Sequence, residues 1–335
     1  MTFPLVIQYN SNGLFSVTGT PGALNIAAPF GPGAYSSSGG WEYNLPQLTY
    51  SSLSTTIPDT ADGSPHTCNY NANYLLSDLS GSSHPLHMAV PVPSGDPACD
   101  VQFGPSIASG GDDFVQAYAN GLSDFRVADA DGTVYKFSSS SVPDYIEDRN
   151  GNKLLVTLNS SGATVTDSAG RMVLSTGTNS NYLFNSMNVS GLAPITIQWE
   201  TVSGGFCLQS EGQSGLCAAS GVMSAIQSIT LPNQTQYSFQ YDPTTGLLSQ
   251  ITYPSGGWVK YQWGTNPMGE VTTVPALNTG DPMSYRHDWP AIVQRSVSFD
   301  GTNIALQQNF EYSTGGWVYS QYTKAWTSKQ TTVTS

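Results

Sequence analysis

Tyr241-Asp242-Pro243-Thr244-Thr245-Gly246-Leu247-Leu248-Ser249-Gln250-Ile251-Thr252-Tyr253-Pro254-Ser255-Gly256-Gly257-Trp258-Val259-Lys260-Tyr261-Gln262-Trp263 is the stretch that decides the fold class. In its last six residues, β-branched and aromatic side chains (Val259, Tyr261, Trp263) recur at every second position and alternate with Lys260 and Gln262. That period of two is what a half-buried strand needs. Thr245-Gly246 and Gly256-Gly257 supply the positive φ angles of tight hairpin turns. Upstream, Ile226 to Leu231 and Tyr237 to Tyr241 read as two more strands around a turn at Pro232-Asn233. The same alternation appears in 133–137 and 195–199, and no helix-length window shows apolar spacing of three and four.

The turns recur. Asp131-Gly132, Asn150-Gly151 and Ala169-Gly170 place a turn glycine every 19 residues, with a strand, a bend at Ser161-Gly162 and a strand between the last two. A fixed period near 20 marks a repeat array, because a single hairpin cannot bury its own apolar face. Gly-Gly-Trp occurs at 39–41, 256–258 and 315–317, with Tyr35, Tyr253 and Tyr312 before and Tyr43, Tyr261 and Tyr319 after. Each is expected to be a glycine turn followed by an aromatic strand. Trp41, Trp258 and Trp317 then either pack on the sheet below or form platforms for sugar rings. Segments 51–67, 91–112 and 264–284 are expected to be long connections or edge strands, Arg286-His287-Asp288 a loop, and the last nine residues an interrupted strand or a frayed end. The expected division is an irregular β region, 1–120, continuous with the sheet, and a hairpin-repeat array, 121–335.

Of 335 residues, 10% are charged, against about 25% in ordinary soluble domains. Ten Lys and Arg against 23 Asp and Glu give a net charge of −13, too few cations to line a phosphate track, so no nucleic acid is expected as a partner. An aromatic content of 11% argues against disorder. No stretch is long and apolar enough for a membrane helix. The start, Met1 to Asn10, lacks a basic region and reads as a strand, with no signal peptide visible. The chain is therefore expected to begin partway through a longer gene product, or to have lost an upstream segment.

Cys68, Cys99, Cys207 and Cys217 are an even set in a Ser/Thr-rich chain, which suggests an oxidising compartment. The plainest disulfides join Cys207 to Cys217 and Cys68 to Cys99; four buried free thiols are the alternative. His66 and the His84-Pro85-Leu86-His87 group have metal-ligand residue types, but no acidic residue nearby in sequence completes a ligand set, so structural roles are expected. Asp112-Asp113 and Asp129-Ala130-Asp131 are weighed as calcium ligands and read as solvated loops. Glu42, Glu147, Glu200, Glu211, Glu270 and Glu311 could supply paired carboxylates in space, and nothing singles out a pair. No catalytic residue, metal ligand or cofactor is assigned, and no enzymatic activity is expected.

Tyr241-Asp242 through Gly246-Leu247-Leu248 to Ile251, followed by Pro254-Ser255-Gly256, resembles the repeat core of the rearrangement-hotspot (RHS), or YD-repeat, family. Asp148-Arg149-Asn150-Gly151-Asn152 with Val165-Thr166-Asp167-Ser168-Ala169-Gly170-Arg171 is similar to a second pair of its motifs, and 4–11, 77–86 and 129–135 carry weaker echoes. The likeness is firm over roughly 125–265 and loose elsewhere. It implies a bacterial secreted or cell-surface protein whose strands spiral into a shell around a toxin or other cargo polypeptide, or that serves display or adhesion. The chain is much shorter than a complete shell and lacks a recognisable core-associated segment or toxin domain. The expected fold is therefore all-β, an antiparallel hairpin array forming a curved, RHS-shell-like sheet, a partial shell. Expected partners are a cargo polypeptide or further RHS repeats of a longer chain. The alternative function is a lectin-like module that binds a cell-surface glycan through its Trp and Tyr hairpins. Asp242 to Leu247 also resembles the family's Asp-Pro-x-Gly-Leu self-cleavage motif with one extra residue, and it reads as a turn.

Overall fold

A computed structural model describes residues 7–11, 14, 16–20, 23–27, 39–43, 45–58, 63–78, 82–93, 95–99, 107–121, 123–138, 141–160, 162–178, 183–210, 213–217, 221–274, 283–319 and 324–335. Within these the chain is nearly all-β, with a single α-helical turn at 97–99 among the described residues. The strands are β1 (Ile7–Tyr9), β2 (Ser16–Thr20), β3 (Ala23–Ala27), β4 (Trp41–Tyr43), β5 (Gln47–Pro58), β6 (Pro65–Ser77), β7 (Ser83–Pro85), β8 (Val90–Pro91), β9 (Ile107–Gly111), β10 (Val115–Asn120), β11 (Phe125–Asp129), β12 (Val134–Phe137), β13 (Tyr145–Glu147) and β14 (Lys153–Asn159). They continue with β15 (Gly162–Asp167), β16 (Met172–Thr178), β17 (Phe184–Val189), β18 (Ile195–Gly204), β19 (Cys207–Ser210), β20 (Gln213–Cys217), β21 (Gly221–Thr230), β22 (Gln236–Tyr241), β23 (Leu248–Thr252), β24 (Trp258–Val274), β25 (Met283–Ser298), β26 (Leu306–Tyr319) and β27 (Lys324–Thr334). No helix among the described residues is long and apolar enough to cross a membrane.

Two compact units result. The first gathers Met1–Gln8, Glu42–Gly177 and Asn188–Gly191; the second gathers Tyr9–Trp41, Thr178–Met187 and Leu192–Ser335. In the first, β9 to β16 form an antiparallel ladder in which each strand pairs with its sequence neighbour. The ladder crosses residue 120 without a break, because β10 pairs with β11. Alternation does the sorting: Val115, Ala117 and Ala119 of β10 face inward, while Gln116, Tyr118 and Asn120 face water. Val127, Phe137, Ile146, Val165 and Leu174 continue that core. Phe125 packs edge-on to Phe137 and lies 4.8 Å from Tyr74 of β6, ring centroid to centroid.

In the second unit, β21 to β27 again pair in sequence order. Two departures occur: β18 skips forward to β21 with the β19–β20 hairpin looping out between them, and β19 pairs with β25 at Ser210 and His287. The core holds Met223, Ala225, Ile226, Phe239, Leu247, Leu248 and Val259, with Trp41 brought from the N-terminal segment.

Residues 51–58 lie in β5, an edge strand of its sheet, as expected, and 65–67 and 264–274 lie within the long paired strands β6 and β24. Three expectations change. Arg286-His287-Asp288 lies in β25, with His287 and Asp288 buried. The C-terminal residues form β27, paired with β26 from Lys324 to Thr334. Gly315-Gly316-Trp317 is no hairpin turn, since β26 runs straight through it; Gly316 adopts φ +60° within the strand.

Candidate functional site

The repeated turn is the most regular local structure of the chain. At 129–133, 148–152 and 167–171, the aspartate N–H donates to the carbonyl four residues on, and the glycine N–H donates back to the aspartate carbonyl, all at 2.9–3.1 Å. This is a type I turn closed by a left-handed residue, the three-residue hairpin loop. Gly132, Gly151 and Gly170 take φ of +89°, +82° and +76°. In each turn the aspartate Oδ1 also accepts the N–H groups two and four residues ahead. Hydrogen bonds from Asn152 and Arg171 hold the carboxyls of Asp148 and Asp167 below the usual range. Leu231–Thr235 and Tyr253–Gly257 close with the same backbone pair, with Gln234 at φ +67° and Gly256 at +88°. Asp242 opens a loop one residue longer, closed by its N–H to Leu247 O at 2.8 Å. Leu247 beside it is 1% exposed, so the segment resembling a cleavage motif is a packed turn.

The cysteines fall on two hairpin regions. Cys68 and Cys99 form a disulfide across 31 positions, which stabilises by about 3–4 kcal/mol through loop closure. Cys207 is disulfide-bonded as well, and its register partner in the β19–β20 hairpin is Cys217. No described cysteine is free.

The three tryptophans occupy different settings. Trp41 is 4% exposed, with Tyr9 and Phe239 against its ring, and its Nε1–H donates to Tyr241 Oη at 2.8 Å. Tyr241 in turn donates to Ile226 O at 2.6 Å, and burial raises its pKa far above that of a free phenol. Trp258 is 8% exposed and donates to Gly301 O. Neither ring offers a free face to a sugar. Trp317 is half-buried, edge-on to Trp326 and beneath the Arg286 guanidinium. The Nε1–H of Trp326 is buried without a protein partner. Tyr35 lies outside the described residues, as do the side chains of Tyr43 and Tyr319.

A groove of about 1110 Å³ in the second unit is lined by Gly204, Gly205, Phe206, Asp242, Thr245 and Trp263, among others. Gly204 is required there: a Cβ would stand 2.6 Å from the backbone of Thr245 and Gly246. Asp242 Oδ1 accepts from Thr244 N, Thr245 N and Thr245 Oγ1, which fixes one rim.

The acidic clusters are committed to turns. Asp112 Oδ1 accepts Phe114 N and Val115 N, and Asp131 Oδ1 accepts Thr133 N and Oγ1. Burial and the neighbouring Asp131 raise the Asp129 carboxyl, while that of Asp131 falls to about 2, chiefly through its hydrogen bond with Asp129. Among the glutamates, Glu147 pairs with Lys153 and Glu270 with Lys329, and burial raises Glu200. The side chains of Glu42 and Glu211 lie outside the described residues. Among the described residues no group of three or more His, Cys, Asp or Glu side chains is placed to hold a metal ion.

The histidines hold the arrangement that sequence reasoning missed. His84 is buried between Asp112 at 2.9 Å and Asp78 at 3.5 Å. His287 Nδ1 donates to Asp288 O at 2.9 Å, leaving Nε2 to accept from Thr272 Oγ1 at 3.0 Å. His66 lies between Ser64, whose Oγ is 3.0 Å from Nε2, and Asp96, whose Oδ2 is 2.7 Å from Nδ1. The Ser-x-His spacing was visible in the sequence. Asp96, 30 positions on, had no local signal. Compared with known families and with curated proteins, the chain matches no family model and no curated protein.

Proposed function

We propose that this chain is a scaffold module of the RHS/YD-repeat kind, in which the hairpin array is itself the working part and holds or displays a polypeptide carried by the same product. The observation that carries this reading is the single turn device used again and again, which lays strand after strand beside its predecessor. The disulfide-bonded cysteines support an oxidising setting, secreted or at a bacterial surface. A second reading, a lectin-like module, draws on the half-buried Trp317–Trp326 pair, its flanking Arg286 and the orphan indole N–H.

The test fuses a protease-sensitive polypeptide after Ser335. The scaffold reading expects slower cleavage of the passenger than of the same polypeptide alone, with the protection lost when hairpin 241–257 is deleted. Equal cleavage with and without the array refutes it. A glycan array run in parallel is expected to be blank; a specific glycan whose binding disappears in Trp317→Ala would favour the lectin reading instead.

A further inference from the structure

We propose that Ser64, His66 and Asp96 form a nucleophilic acyl-transfer site that acts on small esters. Three independent features build it. Strand periodicity comes first: His66 and Cys68 are two residues apart and share one face of β6, and Ser64, just before the strand, puts its Oγ 3.0 Å from His66 Nε2. The disulfide comes second. Cys68 on that face is bonded to Cys99, and Asp96 lies three residues before Cys99, capping the short turn at 97–99 by accepting Ala98 N at 3.0 Å. The covalent bond therefore pins the aspartate against the imidazole. The third feature is the hydrogen-bond order, with Ser Oγ on one ring nitrogen at 3.0 Å and a carboxylate on the other at 2.7 Å. A nucleophile, a base within reach and a group that orients the base are the parts such chemistry requires.

Proton placement follows from the partners. The hydrogen bond with His66 holds the Asp96 carboxyl below the ordinary range, so this oxygen only accepts. His66 Nδ1 therefore carries the hydrogen, and Nε2 presents its lone pair to the Ser64 hydroxyl, the tautomer a general base needs. The side chains of His66 and Asp96 are 25% and 30% exposed, so a small ester reaches the group without a deep pocket.

In the forward step the Ser64 Oγ–H proton passes to Nε2 while Oγ bonds to the acyl carbon. The bond from that carbon to the leaving oxygen then breaks, and the departing alkoxide takes the proton as alcohol. A water molecule next adds to the acyl–Ser64 ester, giving one proton to Nε2. Its oxygen leaves in the carboxylic acid, and Ser64 Oγ recovers the proton. The site is independent of the scaffold reading; if it operates, the expectation that the chain carries no catalytic residue falls.

The experiment treats the full chain, disulfides intact, with a fluorophosphonate probe and locates the adduct by peptide mass mapping. Modification of Ser64 is expected, with p-nitrophenyl acetate turned over. His66→Gln should slow labelling by about 10²–10⁴-fold, the usual contribution of a general base, and Asp96→Asn should slow it as well. Circular dichroism verifies that the variants are folded. The wild type provides its own control: if a neutral imidazole is the base, its labelling rate should reach a plateau with rising pH instead of following hydroxide. An unlabelled Ser64 in folded wild-type protein, a folded His66→Gln variant that labels at the wild-type rate, or a rate that climbs in proportion to hydroxide overturns the proposal.

Discussion

Removing one oxygen tests how the second unit is held together. In Tyr241→Phe the ring stays and the hydroxyl goes, with both of its hydrogen bonds: the one accepted from Trp41 Nε1 at 2.8 Å and the one donated to Ile226 O at 2.6 Å. Trp41 is buried, so its indole N–H loses its partner away from bulk solvent. A buried donor left unsatisfied costs about 1–3 kcal/mol and a lost carbonyl partner about 1 kcal/mol more, so the substitution should destabilise by about 2–4 kcal/mol. At a urea slope of about 2–3 kcal/mol per molar, the midpoint falls by roughly 1 M. The assay is selective by composition. All seven tryptophans, Trp41, Trp199, Trp258, Trp263, Trp289, Trp317 and Trp326, belong to the second unit, so indole fluorescence follows that unit alone. Combined with Trp41→Phe, the double-mutant cycle should show a coupling of about 1 kcal/mol. A loss below about 0.5 kcal/mol for Tyr241→Phe, or effects of the two changes that simply add, would refute this account of the buried hydroxyl.

The turn glycines divide into two classes. A Cβ at Gly170 meets nothing within 4 Å, so Gly170→Ala bears only left-handed strain, about 1–2 kcal/mol, and Gly170→Asn should recover most of it. A Cβ at Gly162 stands 2.2 Å from Thr176 O, and Gly162→Ala should therefore cost clearly more by urea unfolding; equal costs would contradict the geometry. Burial pushes the phenols of Tyr9 and Tyr74 up to about 12, with Tyr135 and Tyr241 raised further. Raised pKa values mean that the stability these groups contribute is present below the unfolded value near 10 and is lost as pH rises through the folded values. Thermal midpoints should hold steady to about pH 10 and drop beyond it, and a flat profile to pH 12 would argue against buried phenols.

The hairpins were legible because their turns are local. An aspartate, a glycine three residues later and a returning alternation fit inside five to ten residues, and no distant contact is needed to read them. The long hairpins were not legible for a physical reason. Most of β5 is exposed on both faces, so its Ser- and Thr-rich sequence carries no apolar alternation to betray it. The glycines at 315 and 316 misled because the pair fits a turn as well as a kink inside a strand. Trp41 and Trp258 carry the same Gly-Gly-Trp signature as Trp317, yet burial separates them, and burial depends on neighbours far along the chain. Ser64 and His66 could be seen together from spacing alone. Asp96 reaches them because Cys99 is bonded to Cys68, a link that pairing of cysteines suggests and only coordinates orient.

The second unit is assembled from stretches far apart in sequence, Tyr9–Trp41 with Thr178–Met187 and Leu192–Ser335. Trp41 leaves the ribosome 200 positions before its partner Tyr241, and Tyr9 leaves 239 positions before Leu248. At about 5–20 residues per second the early segment waits roughly 10–50 s for its seat. Trp41, nearly sealed from solvent in the finished protein, lacks its Tyr241 partner throughout that interval. The nascent polypeptide thus carries an unpartnered apolar segment until the Tyr241 hairpin has been made.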